Sequence, residues 1–141
     1  MIFYISLIIS LLIDLSTKYI AFNYLNEKIE IIGNYFYLQY FENTGIAFSM
    51  QLPYIKITTI ILILGIFYYY FKEERKNNNI IIDLSFGLIL GGAIGNGIER
   101  IINSKVIDFI GIKNFSIFNM ADIFISIGAI IYTVYILKNN K

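Results

Sequence analysis

Cysteine is absent from this 141-residue sequence, and so is histidine. Without cysteine there is no disulfide, no thiol nucleophile and no cysteine-zinc site. Without histidine the Ser-His-Asp triad, the Cys-His pair and the histidine-rich metal centres are excluded too. A hydrolase of this composition has only carboxylates or a Ser-Lys pair to work with. The second option finds no good pair, because the lysines lie at segment ends or in loops and Ser16 does not share a helix face with Lys18. Charge is scarce as well: 15% of residues are charged, the formal net charge is +1, and no basic run suggests a phosphate-binding patch, so nucleic acid is not an expected partner. Proline occurs once, at Pro53.

What is present instead is apolar. Hydrophobic residues make up 57% of the chain and the mean hydropathy is +0.68, beyond the range of an ordinary soluble domain. The length calls for a single domain spanning residues 1–141. Four apolar runs, over about residues 1–22, 54–71, 80–98 and 118–137, each approach the ~20 residues needed to cross a hydrocarbon core as a helix. Pro53 stands where a helix starts cleanly, its missing N–H costing nothing there. The first run lacks a basic leader and a small-residue cleavage site, and reads as a retained span rather than a secretory signal.

Between the first two runs, about residues 30–52 are crowded with Tyr, Phe and Ile and bounded by Gly33-Asn34 and Asn43-Thr44-Gly45. That composition between turn signals argues for short strands. Strand edges cannot sit in lipid, so this segment is either a sheet-like aromatic platform or an aromatic loop at the interface. The expected fold is therefore an all-α membrane protein of four helices with a small β-like platform. Lysines and arginines fall on both sides of the spans, and charge does not fix the orientation.

Polar groups within apolar segments are costly and are functional candidates by default. Here they form four clusters: Asp14 to Lys18, Glu42 to Phe48, Gly91 to Arg100, and Asp108 with Asn119 and Asp122. If the helices alternate in direction, all four lie towards the same side of the membrane. Gly87, Gly91 and Gly95 repeat every four residues and suit close helix packing. Asn96 and Arg100 share the next face; the arginine either snorkels to the interface or clamps a substrate carbonyl or phosphate. Asp14 and Lys18, four apart, are placed to pair with each other. Asp122 at a helix start is explained equally by the helix dipole. Asp108, between Val106-Ile107 and Phe109-Ile110, sits in an apolar setting unusual for a solvated aspartate. Two carboxylates brought together share one proton, and so offer a base for water and an acid for a leaving group without histidine or metal. A proton-coupled transporter using buried carboxylates is the competing reading.

Taken in order, the Asp14–Lys18 run, "ENTGIAFS" from Glu42, "GGAIGNGIERI" from Gly91, "VIDF" from Val106 and "FNMADIFISIG" from Phe118 resemble lipoprotein signal peptidase, also called signal peptidase II, along essentially the whole chain. The resemblance implies four transmembrane helices in the bacterial cytoplasmic (inner) membrane, cytoplasmic termini and an active site towards the outer face. It implies an aspartic endopeptidase that cuts diacylglyceryl-modified prolipoproteins just before the lipidated cysteine. The catalytic pair falls on Asp108 and Asp122, and substrate-binding positions fall on Asp14, Asn43, Gly45, Asn96, Arg100 and Asn119. No metal or organic cofactor is expected; the expected partners are the prolipoproteins, membrane lipids and globomycin-like inhibitors, with the protein a monomer. Glu99 stands where the family usually has aspartate, and Leu15 where it usually has glutamine.

Overall fold

The computed structural model describes residues 1–45 and 54–139. Ile46 to Ser49 of the Glu42–Ser49 motif, the Phe48 end of the aromatic platform and the helix start at Pro53 lie outside the described residues. Among the described residues, four helices are long and apolar enough to cross a membrane. They are α1 (Ile2–Tyr24), the span Ile55–Asn77 that begins as α2 (Ile55–Tyr69), α3 (Ile80–Asn103) and α4 (Met120–Asn139). Beyond Tyr69 the second helix continues through a π turn, Tyr70–Glu74, and a 3-10 turn, Arg75–Asn77, before Asn78 in the left-handed region ends it.

Helix α3 is the centre of the bundle, with 56% of its most apolar window buried against 28% for α1, 11% for α2 and 11% for α4. Small residues make this possible. A Cβ on Gly87 would meet Ser6 of α1, one on Gly91 would meet Ser10, and one on Gly95 would meet the Asp14 carboxylate. The three glycines therefore form the α1 seam, where backbones approach closely. The pairs step forward together by four residues, so α1 and α3 run parallel. On the other flank, Gly92 lies under Ala121 and Gly128 under Ser85, which sets α4 antiparallel to α3. Serine hydroxyls at the seam are satisfied locally: Ser6 and Ser10 each donate to carbonyls three and four residues back.

The aromatic segment forms a sheet. Strands β1 (Ile29–Ile32) and β2 (Phe36–Asn43) make an antiparallel hairpin turning at Gly33, whose φ of 48° suits glycine. Two further strands, β3 (Val106–Ile112) and β4 (Ile117–Phe118), complete an antiparallel sheet in the order β1-β2-β3-β4. The connection between α3 and α4 is thus a hairpin, tightened at Asn114 in the left-handed region, where asparagine is tolerated. Phe109 and Ile110 of β3 pack onto Ala21 of α1, with Phe36, Leu38 and Met120 around them, and this small core fixes the sheet against one end of the bundle. At the opposite end Phe3, Tyr70, Ile82, Phe86 and Leu90 form a second core.

Candidate active site

Asp108 is carried by β3 and Asp122 by the first turn of α4. Chain reversal through β4 brings them to one cavity of about 490 Å³, whose polar wall includes Asn43, Asn96, Arg100 and Asn119 and whose other wall is apolar, with Phe115, Ile117, Phe118 and Ile125.

Local structure accounts for each placement. Asn119 precedes α4 and caps it: its Oδ1 accepts from Asp122 N at 3.0 Å, while Asp122 Oδ2 accepts from Asn119 N at 3.3 Å. That reciprocal box orders both residues and satisfies backbone donors that a helix start leaves open. Asn43 and Asp108 lie on neighbouring strands, where Phe41 pairs with Asp108 and Asn43 with Val106. They are diagonal neighbours on one face of the sheet. The ladder shifts register between Leu38 and Phe41, placing one extra residue on β2. Such a bulge bends the strand and re-aims the side chains beyond it, Asn43 among them.

Amide groups link the two carboxylates. Asp108 is 2% exposed. Its Oδ2 accepts from Asn43 Nδ2 at 3.0 Å and its Oδ1 from Asn119 Nδ2 at 2.7 Å. Asp122 Oδ1 accepts from Asn96 Nδ2 at 2.9 Å. Asn119 Nδ2 also reaches Asn96 Oδ1 at 3.1 Å, so a continuous chain runs Asp108–Asn119–Asn96–Asp122. Burial pushes the Asp108 carboxyl up to about 6; the hydrogen bond from Asn43 opposes this and the nearby charge of Asp122 adds to it. A carboxyl poised near neutrality can exchange a proton with water or substrate on either side of pH 6.

Arg100 enters from the last turn of α3, its Nη2 donating to Gly45 O at 3.4 Å, and its Nε has no acceptor among the described residues. Gly45 N in turn donates to Asn43 Oδ1 at 2.9 Å, closing an Asx turn that holds Asn43. A second cavity of about 240 Å³ between α2, α3 and α4 is bordered by Asn96, Arg100 and Asp122 and otherwise lined by side chains such as Ile55, Leu62 and Ile66. Among the described residues, no group of three or more Asp or Glu side chains is arranged to hold a metal ion.

The signal peptidase II family model matches residues 6–138. The chain belongs to the signal peptidase II family. Lipoprotein signal peptidase of Trichormus variabilis is 37% identical over 91% of this chain and 84% of that protein. That of Caldicellulosiruptor bescii is 37% identical over 98% of this chain and 92% of its own length. A bacterial membrane enzyme solved by the in meso method superposes with a TM-score of 0.85 at 27% identity, covering 97% of this chain and 88% of that one. Family membership makes the chain a protease and sets aside the transporter reading.

Seven of the eight site residues expected from the sequence therefore converge: Asp108, Asp122, Asn43, Asn96, Arg100 and Asn119 line the cavity, and Gly45 braces two of them. Asp14 does not reach it. Fully buried, its carboxylate accepts from Ala121 N at 2.8 Å and pairs with Lys18 at 2.8 Å, behind the cavity wall. Two contacts are not visible in the sequence: Lys18 also meets Glu99, Nζ to Oε2 at 2.9 Å, and Asn96 Oδ1 at 2.7 Å. Glu99 in turn accepts from Ile107 N at 3.2 Å. The four-residue ladder Ser6, Ser10, Asp14, Lys18 set beside Gly87, Gly91, Gly95, Glu99 was the signal that could have found this contact.

Proposed function

We propose that the protein is an aspartic endopeptidase that releases signal peptides from diacylglyceryl-modified bacterial prolipoproteins, cutting just before the lipidated cysteine, with Asp108 and Asp122 as the catalytic pair. The observation that carries this reading is the amide-linked carboxylate pair opening on one cavity at the sheet end of the bundle. One carboxylate takes a proton from water as it attacks the scissile carbonyl; the other protonates the leaving amine. Asn43, Asn96 and Asn119 hold the carboxylates in register, and Arg100, which lines the same cavity, brings a guanidinium to it from the end of α3.

The surroundings suit a lipidated substrate. Apolar side chains line one wall of the main cavity and most of the neighbouring one, and so offer surface against which acyl chains can be buried. The sheet and its β1–β2 turn present exposed aromatic groups, Phe41 on β2 and Tyr35 in the turn, which suit an interface between lipid and water. In the reading we favour, the protein lies in the cytoplasmic membrane with both termini inside and the sheet end at the outer face, and acts as a monomer that globomycin-like peptides inhibit.

The decisive assay is release of signal peptide from a diacylglyceryl-modified prolipoprotein by the purified protein. Asp108→Asn and Asp122→Asn should each lower release by about 10²-fold or more while circular dichroism and thermal unfolding stay near wild type. Near-wild-type cleavage in either variant would falsify the pair as drawn.

A further inference from the structure

Asp14, Lys18 and Glu99 are buried, Lys18 and Glu99 at the edge of a separate cavity shared with Glu42 and Lys105, and none of them lines the cavity that Asp108 and Asp122 share. Packing alone does not call for them. One and two turns before Asp14 the same α1–α3 seam is closed by Ser10 against Gly91 and Ser6 against Gly87, with no charge. Burying charges among membrane-spanning helices is expensive, and a buried ion pair is weak evidence for stability. Where each group ends is more informative. Asp14 Oδ1 accepts from the backbone N–H of Ala121, the neighbour of Asp122. Glu99 Oε2 accepts from the backbone N–H of Ile107, the neighbour of Asp108. Lys18 Nζ, held by Asp14 at 2.8 Å and Glu99 at 2.9 Å, donates to Asn96 Oδ1.

The last contact carries directional information. An ammonium only donates, so Asn96 must turn its oxygen to Lys18 and its NH₂ to Asp122. The opposite amide orientation would set an oxygen against the carboxylate and a donor against the ammonium.

We propose that Asp14, Lys18 and Glu99 are positioning residues, a buried ion trio that sets the placement of both catalytic carboxylates and the amide orientation between them from behind the cavity. The proposal rests on the aspartic peptidase reading above. It differs from the role the resemblance gives Asp14, because Asp14 then acts through the backbone of α4 and not on substrate. Glu99 has a specific part: its arm reaches Lys18 and the β3 backbone together.

Two variants test it in the full-length protein, with kcat and KM for a diacylglyceryl-modified prolipoprotein measured across pH. The neutral triple variant Asp14→Asn, Lys18→Met, Glu99→Gln keeps acceptors for Ala121 N and Ile107 N but removes the charges and the contact to Asn96. It should lower kcat by about 10- to 100-fold, the scale expected of a misplaced catalytic group, with KM within about twofold of wild type. The single Glu99→Gln changes shape least and should fold even if the triple variant does not. It should lower kcat several-fold at unchanged KM and move the limb governed by Asp108 to lower pH, because the Lys18 charge is then less balanced. The charged groups around Asp108 are Asp122 from α4, Lys18 from α1 and Arg100 from α3, with Glu99 beyond Lys18 and Glu42 opposite Ile107 on β2. Wild-type kcat in the triple variant, a raised KM at unchanged kcat, or an unmoved limb in Glu99→Gln overturns the proposal. Asp108→Asn, run alongside, separates this outcome from failure of the peptidase reading: if it still cleaves near the wild-type rate, the reading falls first.

Discussion

Both ends of the bundle bury a carboxylate, and they do so differently. At the end away from the sheet, Glu74 is 7% exposed and accepts from Tyr69 OH at 2.9 Å, Tyr132 OH at 2.6 Å and Asn77 Nδ2 at 3.1 Å. Nearby, Tyr70 OH donates to Asp83 at 2.7 Å, and its ring stacks on Phe3 with centroids 4.2 Å apart. Glu74 is one carboxylate locked by three donors, two from its own stretch of chain and one from α4. At the sheet end, two carboxylates share a chain of amides and face open space. Burial of an acid is therefore not the mark of the site. The mark is a second acid linked to it and a cavity in which both can reach a third molecule.

The comparison can be broken most directly by exchanging a charge at each end. Asp122→Asn should reduce signal-peptide release by about 10²- to 10⁴-fold, the range ascribed to a positioned acid or base. Glu74→Gln should leave release per folded molecule within about twofold, yet lower stability by about 1–3 kcal/mol through weakened partners for two tyrosine hydroxyls. Thermal unfolding in detergent read beside the cleavage assay checks both, and a Glu74→Gln enzyme as inactive as Asp122→Asn would erase the distinction.

Between the two ends runs the glycine seam, and it should transmit damage both ways. A Cβ on Gly91 would lie 2.6 Å from Leu7 O. Gly91→Ala should therefore push α1 from α3, costing about 1–3 kcal/mol as overpacking, and slow cleavage by shifting Asp14 and Lys18. A fully active Gly91→Ala protein with unchanged unfolding would show that the seam is slack.

A finer distinction comes from pH. Asp108, raised by burial to about 6, stays protonated up to that value and ionises above it. A pair that works with one shared proton loses it as pH rises, so kcat/KM of the free enzyme should fall along an alkaline limb centred near 6. Asp108→Asn has no such limb to show, and Glu74→Gln should leave it in place. The smallest effect belongs to the aromatic face. Tyr35 is 69% exposed in the turn between β1 and β2, and Tyr35→Ser should raise KM a few-fold at constant kcat if that end of the sheet holds the peptide; identical kinetics would sink the idea.

The sequence by itself decided the four helices, because long apolar runs have only one way to satisfy their backbones in lipid. It also placed the polar clusters at one end, since alternation of helix direction fixes which ends meet. The pairing of Asp108 with Asp122 was legible in part: the residues could be named, but the β3–β4 hairpin that folds them together was read only as a connection. The charged run Lys72 to Lys76 read as the polar end of a span, whereas Glu74 turns inward to two tyrosines from different helices. Lys18 read as a partner for Asp14 alone, because a four-residue spacing is visible along one helix while a contact to Glu99 across the seam is not. Tertiary structure decided these matters for one physical reason. Periodicity tells which face a residue occupies, but a buried charge is placed by the donors and acceptors that surround it, and those come from elements far apart in the chain.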